Sequence, residues 1–229
     1  YNHKQFRIEQ IDANHWRFSG QVELENEEVK GQKFYADVVD VYLDTNRLEA
    51  TGNVLYETPT ARIAAGRVVF MGDSITQLWG LAEPQDFGPA RVNRGISGQT
   101  TPQMLLRFKQ DVLALKPSAV HILAGVNDIA GNTGPTTLED IENNIASMVE
   151  IAKAHGVQVI LATPLPAAKF NWAPQLNPRE AVIAYADWIR RYAADQDLVL
   201  AEYFAPMATA DGAMKPELTL DGIHPNKAG

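Results

Sequence analysis

The sequence has no cysteine among its 229 residues, which excludes disulfide bonds, a thiolate nucleophile and cysteine-bound metal ions. Basic residues are also few: 20 lysines and arginines stand against 28 acidic residues, the net charge is -8, and no Lys/Arg-rich run is present. Electrostatic attraction to nucleic acid or to an anionic membrane is therefore disfavoured. The longest apolar runs are too short for a transmembrane helix. We expect a small or neutral partner and no metal ion or cofactor, because the histidines lack metal-ligand spacing.

Residues 1–65 carry the alternating pattern that is typical of half-buried β-strands. Apolar side chains occupy alternate positions over residues 16–24, and the same period of two returns over 39–43 and 48–56. No helical periodicity interrupts the pattern. We therefore predict a small antiparallel β unit over residues 1–65. The chain begins at Tyr1 rather than at methionine, which either a removed signal peptide or a trimmed N-terminus would explain.

Three segments of this region carry a recognisable sequence pattern: FSGQVEL, FYADVVDVYLDTNRLEATGNVLYETP and ARIAA. Over residues 14–70 they resemble the β-jellyroll repeats of periplasmic lipopolysaccharide-transport proteins, also known from organic-solvent-tolerance proteins. The resemblance implies a module that buries lipid or pairs edge to edge with other β modules, and it favours a periplasmic or secreted location. The alternative is a plain β appendage that packs on its neighbour.

Residues 66–229 change to an alternation of short apolar strands and helices. Strands are predicted near residues 67, 91, 119, 158 and 199. Consecutive strands joined through helices must run parallel, with the helices covering both faces of the sheet. The predicted fold class is therefore α/β, a three-layer α/β/α sandwich with a parallel sheet, preceded by the small antiparallel β unit.

The predicted helices have recognisable starts. One begins at Thr101, where Pro102 suits the first turn. Two more begin at Thr136 and Asn177, each with a glutamate three residues later in the capping-box position. The stretch that follows Ser74 is predicted to be irregular, because it contains several prolines and glycines.

Residues 67–76, RVVFMGDSIT, read as a buried strand that runs directly into a tight turn. Ser74 is thereby presented at the carboxyl end of a strand, where open α/β sheets collect ligands and chemistry. We identify Ser74 as the candidate nucleophile. The alternative is a turn whose Asp73 and Ser74 side chains satisfy local backbone groups.

Two further polar turns follow predicted strands. In residues 93–98, NRGISG, the backbone N–H groups are approachable because Gly95 has no side chain, so this turn could hold an anion. A phosphate-binding loop is not indicated, because the GxxxxGK[ST] pattern is absent. After the strand SAVHILA, Asn127 could aim its side-chain amide at a developing oxyanion. The alternative for Asn127 is an Asn-Asp turn that closes the strand.

Residues 221–225, DGIHP, place an acid three residues before a histidine. At this spacing Asp221 can accept a hydrogen bond from His224 and fix its tautomer, which leaves the other ring nitrogen free to act as a base. The alternative is a turn histidine bonded to its neighbour.

The four segments GDSIT, NRGISGQ, GVND and DGIHP occur in this order, each after a predicted strand. Together they resemble the four blocks of the SGNH (GDSL-type) hydrolases over residues 66–229. The resemblance implies an esterase or acylhydrolase in which Ser74 is the nucleophile, His224 the general base and Asp221 the residue that orients the histidine. It also implies an oxyanion hole formed by the N–H groups of Ser74 and Gly95 and by the Asn127 side chain.

The chain departs from this family pattern at two places. Ala124 stands where the family often has glycine, which is expected to narrow the floor of the pocket. Relatives generally continue into a last helix, whereas this sequence stops at Gly229, shortly after His224.

The leading hypothesis is hydrolysis of a small carboxylic ester, with acetylated sugars, short acyl esters and lysophospholipid-like esters all open as substrates. The competing hypothesis is a non-catalytic envelope module for lipid binding or assembly, led by the β unit. Elsewhere, His121 is interpreted as a core histidine and His155 as a helix-end residue. The loop of residues 164–178 either forms a wall of the substrate pocket or is surface filler.

Overall fold

The secondary structure changes close to residue 67, from antiparallel strands to alternating strands and helices. The computed structural model describes residues 7–25, 33–44, 47–51, 54–57 and 62–229. The chain separates into two units, Tyr1–Arg67 and Val68–Gly229.

The first unit is an antiparallel β-sheet, as predicted. Its strands are β1 (Arg7–Gln10), β2 (His15–Glu25), β3 (Lys33–Tyr42), β4 (Arg47–Thr51), β5 (Val54–Glu57) and β6 (Arg62–Ala65). They pair in the order β1-β2-β3-β5-β6, with β4 also paired to β3. The register of β2 on β3 shifts between Ser19 and Val22, which indicates a β-bulge that interrupts the alternation read from the sequence.

Among the residues of this unit that the structure describes, a small hydrophobic cluster and a buried acid stand out. Val22, Ala36 and Val39 are buried together. Asp40 is also buried, and it accepts hydrogen bonds from the ring of His15 at 2.7 Å and from Arg17 Nε at 2.8 Å. Burial alone would raise the pKa of Asp40, but the hydrogen bonds from Arg17 and His15 outweigh it and lower the pKa. The buried carboxylate is thus compensated within the sheet.

The second unit contains a five-stranded parallel sheet, which confirms the predicted fold class. Its strands are β7 (Val68–Gly72), β8 (Arg91–Gly95), β9 (Ala119–Leu123), β10 (Gln158–Ala162) and β11 (Val199–Ala201). They lie in the order β11-β10-β9-β7-β8, and all four pairings are parallel. All five strands lie where the sequence places them.

Six helices accompany the sheet: α1 (Ser74–Ala82), α2 (Thr101–Asp111), α3 (Val126–Ile129), α4 (Leu138–Ala154), α5 (Arg179–Asp195) and α6 (Phe204–Met207). Helices α2, α4 and α5 bury one apolar side each in the main core, as Phe108, Ile145 and Tyr185 illustrate. Each large side chain buried there stabilises the fold by about 1.5–3 kcal/mol. Phe70 of β7 contacts Trp79 of α1 edge to face, with ring centroids 5.4 Å apart.

Three expectations about the helices are wrong in detail. The stretch after Ser74 is not irregular but forms α1, because the Asp73 side chain caps it by accepting from the Ile75 amide at 3.0 Å. The capping box of α4 uses Thr137 and Asp140, one residue later than predicted. At the start of α5 the expected capping box is absent, since Pro178 occupies the N-cap position and makes no side-chain hydrogen bond.

The strand order determines where a ligand would bind. The chain moves from β7 to β8 on one side, then crosses to β9 on the other side of β7. This reversal is a topological switch point, and open α/β sheets bind ligands at the carboxyl ends of the strands beside it. Ser74 follows β7 and Asn127 follows β9, so both lie at this edge.

Candidate active site

Ser74 occupies the first position of α1, immediately after β7. The turn depends on Gly72, because a Cβ atom there would lie 2.1 Å from Thr76 Oγ1. The N–H of Ser74 belongs to the first turn of a helix, where backbone N–H groups have no intrahelical acceptor. The residue therefore presents both a hydroxyl and a backbone donor at the end of the strand.

His224 contacts Ser74 although 150 residues separate them in the sequence. The distance from Ser74 Oγ to His224 Nε2 is 2.9 Å, a normal hydrogen bond. On the other side of the ring, His224 Nδ1 lies 2.7 Å from Asp221 Oδ2. The structure thus brings Ser74, His224 and Asp221 into one continuous hydrogen-bonded chain.

The segment of residues 219–224 holds the acid and the base by short-range contacts. The Asp221 carboxylate accepts from the backbone N–H of Ile223 at 2.9 Å and of His224 at 2.8 Å. The Thr219 hydroxyl donates to the His224 carbonyl at 2.6 Å. Burial alone would raise the pKa of Asp221, but the hydrogen bonds from His224 and Ile223 outweigh it and lower the pKa to about 2. Asp221 is therefore ionised and fixed in place at neutral pH.

Asn127 lies in the short helix α3 rather than in an open turn. It is buried, and its Nδ2 donates to the Gln99 carbonyl at 3.0 Å. The same nitrogen lies 3.4 Å from Asp73 Oδ2. The Asn127 amide is thus placed beside the residue that precedes Ser74.

Asp73 is the second carboxyl group beside Ser74, and its surroundings differ from those of Asp221. Burial raises the pKa of Asp73 to about 6, against the lowering effects of the Ile75 amide and of His224. Sequence reasoning assigned no titration to Asp73, because the depth of burial depends on residues from other strands.

The structure places Gly95 differently from the expected oxyanion donor. Its N–H donates to the Asn93 side chain at 2.8 Å. A Cβ atom at Gly95 would lie 2.2 Å from the backbone nitrogen of Gln77, so glycine is needed here for the close approach of α1. The Gly95 amide thus has an acceptor within its own turn, and its lack of a side chain allows the close packing of α1.

Gly98, three residues further along the same turn, is the glycine with left-handed backbone geometry, at φ +76°. Its carbonyl accepts from Asn132 Nδ2 at 3.1 Å. Asn132 Nδ2 also donates to Asn127 Oδ1 at 3.0 Å. Asn132 was missed by sequence reasoning, because an asparagine in a Gly-rich turn carries no signal of its own.

The loop of residues 164–178 contacts both sides of the site. Phe170 is fully buried, and Trp172 stacks on it with ring centroids 5.1 Å apart. Asn171 Nδ2 donates to the Asp221 carbonyl at 3.1 Å, and Trp172 Nε1 donates to Asn132 Oδ1 at 3.1 Å. The loop is therefore fastened next to the site and is not surface filler.

A cavity of about 730 Å³ adjoins the ring of His224. Its lining is mainly apolar and includes Leu78, Trp79 and Met207. Ala124 does not line this cavity but packs in the main core. The expectation that Ala124 narrows the floor of the pocket therefore does not apply to this cavity. His121 also lines the cavity and is buried in β9, as expected of a core histidine, and burial lowers its pKa to about 4.

The other candidates lie apart from this chain of hydrogen bonds. His155 caps α4, with Nδ1 2.8 Å from the Ile151 carbonyl. Within the described residues, no three His, Asp or Glu side chains converge in a way that could hold a metal ion. Over the same residues, no helix has the length and apolarity needed to cross a membrane.

A parallel-sheet α/β unit with a Ser-His-Asp chain at its switch point has the arrangement that serine-type hydrolases use. The GDSL-like lipase/acylhydrolase family model matches residues 70–229. The chain belongs to this family, whose members are carboxylic ester hydrolases of the SGNH type. The match begins at residue 70, so the lipopolysaccharide-transport resemblance of residues 14–70 stays a prediction.

Three relatives illustrate the similarity. A GDSL-like lipase from Bacteroides thetaiotaomicron is 41% identical with a TM-score of 0.69, and the match covers 70% of this chain and 80% of that one. An acetylxylan esterase of Geobacillus stearothermophilus is 25% identical, over 73% of this chain and 90% of its own length. The lipoprotein YqeF of Bacillus subtilis is 29% identical over 53% of this chain. The aligned region spans 57% of the length of YqeF.

Proposed function

We propose that this protein hydrolyses carboxylic esters through an acyl-enzyme formed on Ser74. The observation that carries the proposal is the unbroken chain from the Ser74 hydroxyl through the His224 ring to the Asp221 carboxylate, with distances of 2.9 and 2.7 Å. An alcohol becomes an effective nucleophile when a positioned base accepts its proton and an acid fixes the tautomer of that base. An idle α/β half would need no such assembly, so the proposal is favoured over a purely structural envelope module.

Proton transfer in the proposed mechanism passes through His224. Its Nε2 accepts the Ser74 proton as Oγ attacks the ester carbonyl, and the carbonyl oxygen becomes an oxyanion. When the intermediate collapses, the C–O bond to the alcohol breaks and His224 returns the proton to the leaving oxygen. Water then attacks the acyl-enzyme with His224 again as base, which releases the carboxylic acid and regenerates Ser74.

For the oxyanion we propose three donors: the Ser74 N–H, the Asn127 Nδ2 and the Gly98 N–H. Gly98 replaces Gly95 in this role, because the Gly95 amide donates to Asn93 and the α1 backbone at Gln77 packs directly against Gly95, whereas Gly98 is open. Gly98 is supported as a donor by its position, because the Asn132 side-chain nitrogen donates both to the Gly98 carbonyl and to Asn127 Oδ1. Loss of a single donor of this kind typically costs about 10²–10³ in rate.

The proposed substrates are short-chain or O-acetyl esters of a small alcohol or sugar. The relative from Geobacillus stearothermophilus is named an acetylxylan esterase, which supports an acetylated saccharide. The negative charge of the chain, -8, argues against polyanionic substrates. Similarity to a lipoprotein supports an envelope or extracellular location.

The test is the replacement Ser74→Ala, assayed with p-nitrophenyl esters of increasing acyl length and with acetylated xylo-oligosaccharides. We expect kcat to fall by about 10⁴–10⁶, since the nucleophile is lost. Ser147→Ala is the matched control: the Ser147 hydroxyl donates to a helix carbonyl of α4, and its loss should leave turnover unchanged. Equal turnover by wild type and Ser74→Ala would refute the proposed nucleophile.

A further inference from the structure

Asn132 occupies a central position between the proposed oxyanion donors. Its side-chain nitrogen donates to Asn127 Oδ1 at 3.0 Å and to the Gly98 carbonyl at 3.1 Å. Its backbone N–H donates to the Asn127 carbonyl at 3.0 Å. One residue thus contacts the two segments that carry the side-chain donor and the glycine donor.

The direction of these hydrogen bonds follows from Trp172. An indole N–H only donates, so the Asn132 atom that faces Trp172 Nε1 at 3.1 Å must be the acceptor Oδ1. The Asn132 Nδ2 then faces Gly98 and Asn127, and both atoms that it meets there are oxygens. The indole therefore decides the orientation of the Asn132 amide.

The same reasoning extends to Asn127. Because Asn132 donates to its Oδ1, the Asn127 Nδ2 is turned to the opposite side, towards the Gln99 carbonyl at 3.0 Å and Asp73 at 3.4 Å. Without the donor from Asn132, the buried Asn127 Oδ1 would be left unpaired, and the Asn127 side chain would lose one of the hydrogen bonds that hold it in place.

We propose that Asn132 is a positioning residue for the oxyanion hole and that Trp172, through its indole N–H, fixes Asn132. The inference rests on the proposed function and adds to it a relay from Trp172 through Asn132 to Asn127. Trp172 is anchored for this role, since it stacks on Phe170, which is fully buried. Neither Asn132 nor Trp172 is a proposed donor to the oxyanion, so both act through the donors that Asn132 holds, chiefly Asn127.

Three substitutions weaken the relay from Trp172 to Asn127 to different extents. Asn132→Asp keeps the shape and the acceptor for Trp172 but removes both donated hydrogen bonds, and we expect kcat to fall by about 10²-fold, close to the loss for Asn127→Ala. Asn132→Ala should lower kcat by about 10-fold or more. Trp172→Phe retains the stacking on Phe170 and removes only the N–H, so a loss of about 2–5-fold is expected. In each case KM should change by less than about twofold, since the contact that is weakened, from Asn127 to the oxyanion, forms only in the transition state.

The decisive experiment is a double-mutant cycle with Asn127→Ala. If Asn132 acts mainly through Asn127, the cost of Asn132→Asp should drop from about 10²-fold to less than about tenfold in the Asn127→Ala background, where only the contact with Gly98 remains to be lost. An undiminished loss in that background, or kcat within about twofold of wild type for Asn132→Asp alone, would overturn the proposal. Asn144→Ala is the matched control, because the Asn144 amide bonds Thr101 and does not contact Asn127.

A second readout does not depend on turnover. The side-chain amide resonances of Asn127 in ¹⁵N-labelled protein should shift in Asn132→Asp and in Trp172→Phe, and should not shift in Asn144→Ala. Unchanged Asn127 resonances in folded Asn132→Asp would contradict the relay, whatever the activity. Absence of ester turnover in wild type, or full turnover in Ser74→Ala, would instead refute the proposed function and leave this resonance test to decide the positioning role.

Discussion

The two sides of the site are built from contacts of very different range. On the acid-base side, the Asp221 carboxylate and the His224 backbone are held mainly by residues at most five positions away, with one long-range hydrogen bond from Asn171 to the Asp221 carbonyl. On the oxyanion side, Asn127 has one near partner, Asn132, but its donor nitrogen is held by Gln99, 28 residues away, and lies near Asp73, 54 residues away.

This difference explains which parts of the site a sequence reveals. A local network repeats its geometry wherever the short sequence occurs, so DGIHP identifies acid and base directly. A network of long-range contacts depends on the register of strands and the approach of helices. The oxyanion side is accordingly the side on which the expected donor, Gly95, proved to have another partner.

Among the tests of this comparison, the largest effect is expected from breaking the local side. In Asp221→Asn the acceptor at His224 Nδ1 is lost, and the ring takes the tautomer whose Nε2 carries a proton and cannot accept one from Ser74. We expect kcat to fall by about 10³–10⁴, more than for any single oxyanion donor. Steady-state kinetics measure this, with Asp187→Asn, a surface ion-pair partner of Arg190, as control. A loss below tenfold would mean that Asp221 does not orient the base.

An intermediate effect should come from Gly95, and on stability rather than on chemistry. In Gly95→Ala the new methyl group would lie 2.2 Å from Gln77 N and 2.7 Å from the Thr76 carbonyl carbon, both backbone atoms that cannot rotate away. We expect a loss of about 3 kcal/mol in the free energy of unfolding, at the upper end for overpacking. Urea titration measures it.

Gly88→Ala provides the comparison for this experiment, because a Cβ atom there meets nothing within 4 Å. Its stability should stay within about 1 kcal/mol of wild type. If Gly95→Ala were as stable as Gly88→Ala, the packing role assigned to Gly95 would be wrong.

The smallest expected effect concerns the pH dependence of stability on the long-range side. The pKa of Asp73 is raised to about 6 in the folded protein, from an ordinary value of 3.8. His121, whose pKa is lowered to about 4, adds a contribution of opposite sign that is common to wild type and Asp73→Asn. At Asp73 the folded state binds more protons than the unfolded state between the two pKa values, so the Asp73 contribution to the free energy of unfolding falls as pH rises from about 4 to 7. A change on the order of 2 kcal/mol is expected, and Asp73→Asn should remove it.

The measurement is urea unfolding at several pH values between 4 and 7 for wild type and Asp73→Asn. Asp221 contributes little to the pH dependence of the free energy of unfolding between pH 4 and 7. Its pKa is lowered to about 2, so its stabilising effect is lost only as pH falls towards that value. Identical pH profiles for the two proteins would show that Asp73 is not the group that titrates.

The sequence by itself determined the order of strands and helices, the antiparallel β unit, and the residues Ser74, Asp221 and His224. These follow from hydrophobic periodicity and from motifs whose parts lie close together in the chain. It did not determine that a helix begins at Ser74, where the carboxylate of Asp73 caps the backbone and tertiary contacts stabilise the turn.

Only the tertiary structure decided the distances across the site: Ser74 to His224, Asn127 to Gln99, and Asn132 to Trp172. It also decided the burial that raises the pKa of Asp73 and the close approach of α1 that requires Gly95. The physical reason is that hydrogen-bond direction and desolvation depend on which surfaces meet, and those surfaces come from segments far apart in the sequence.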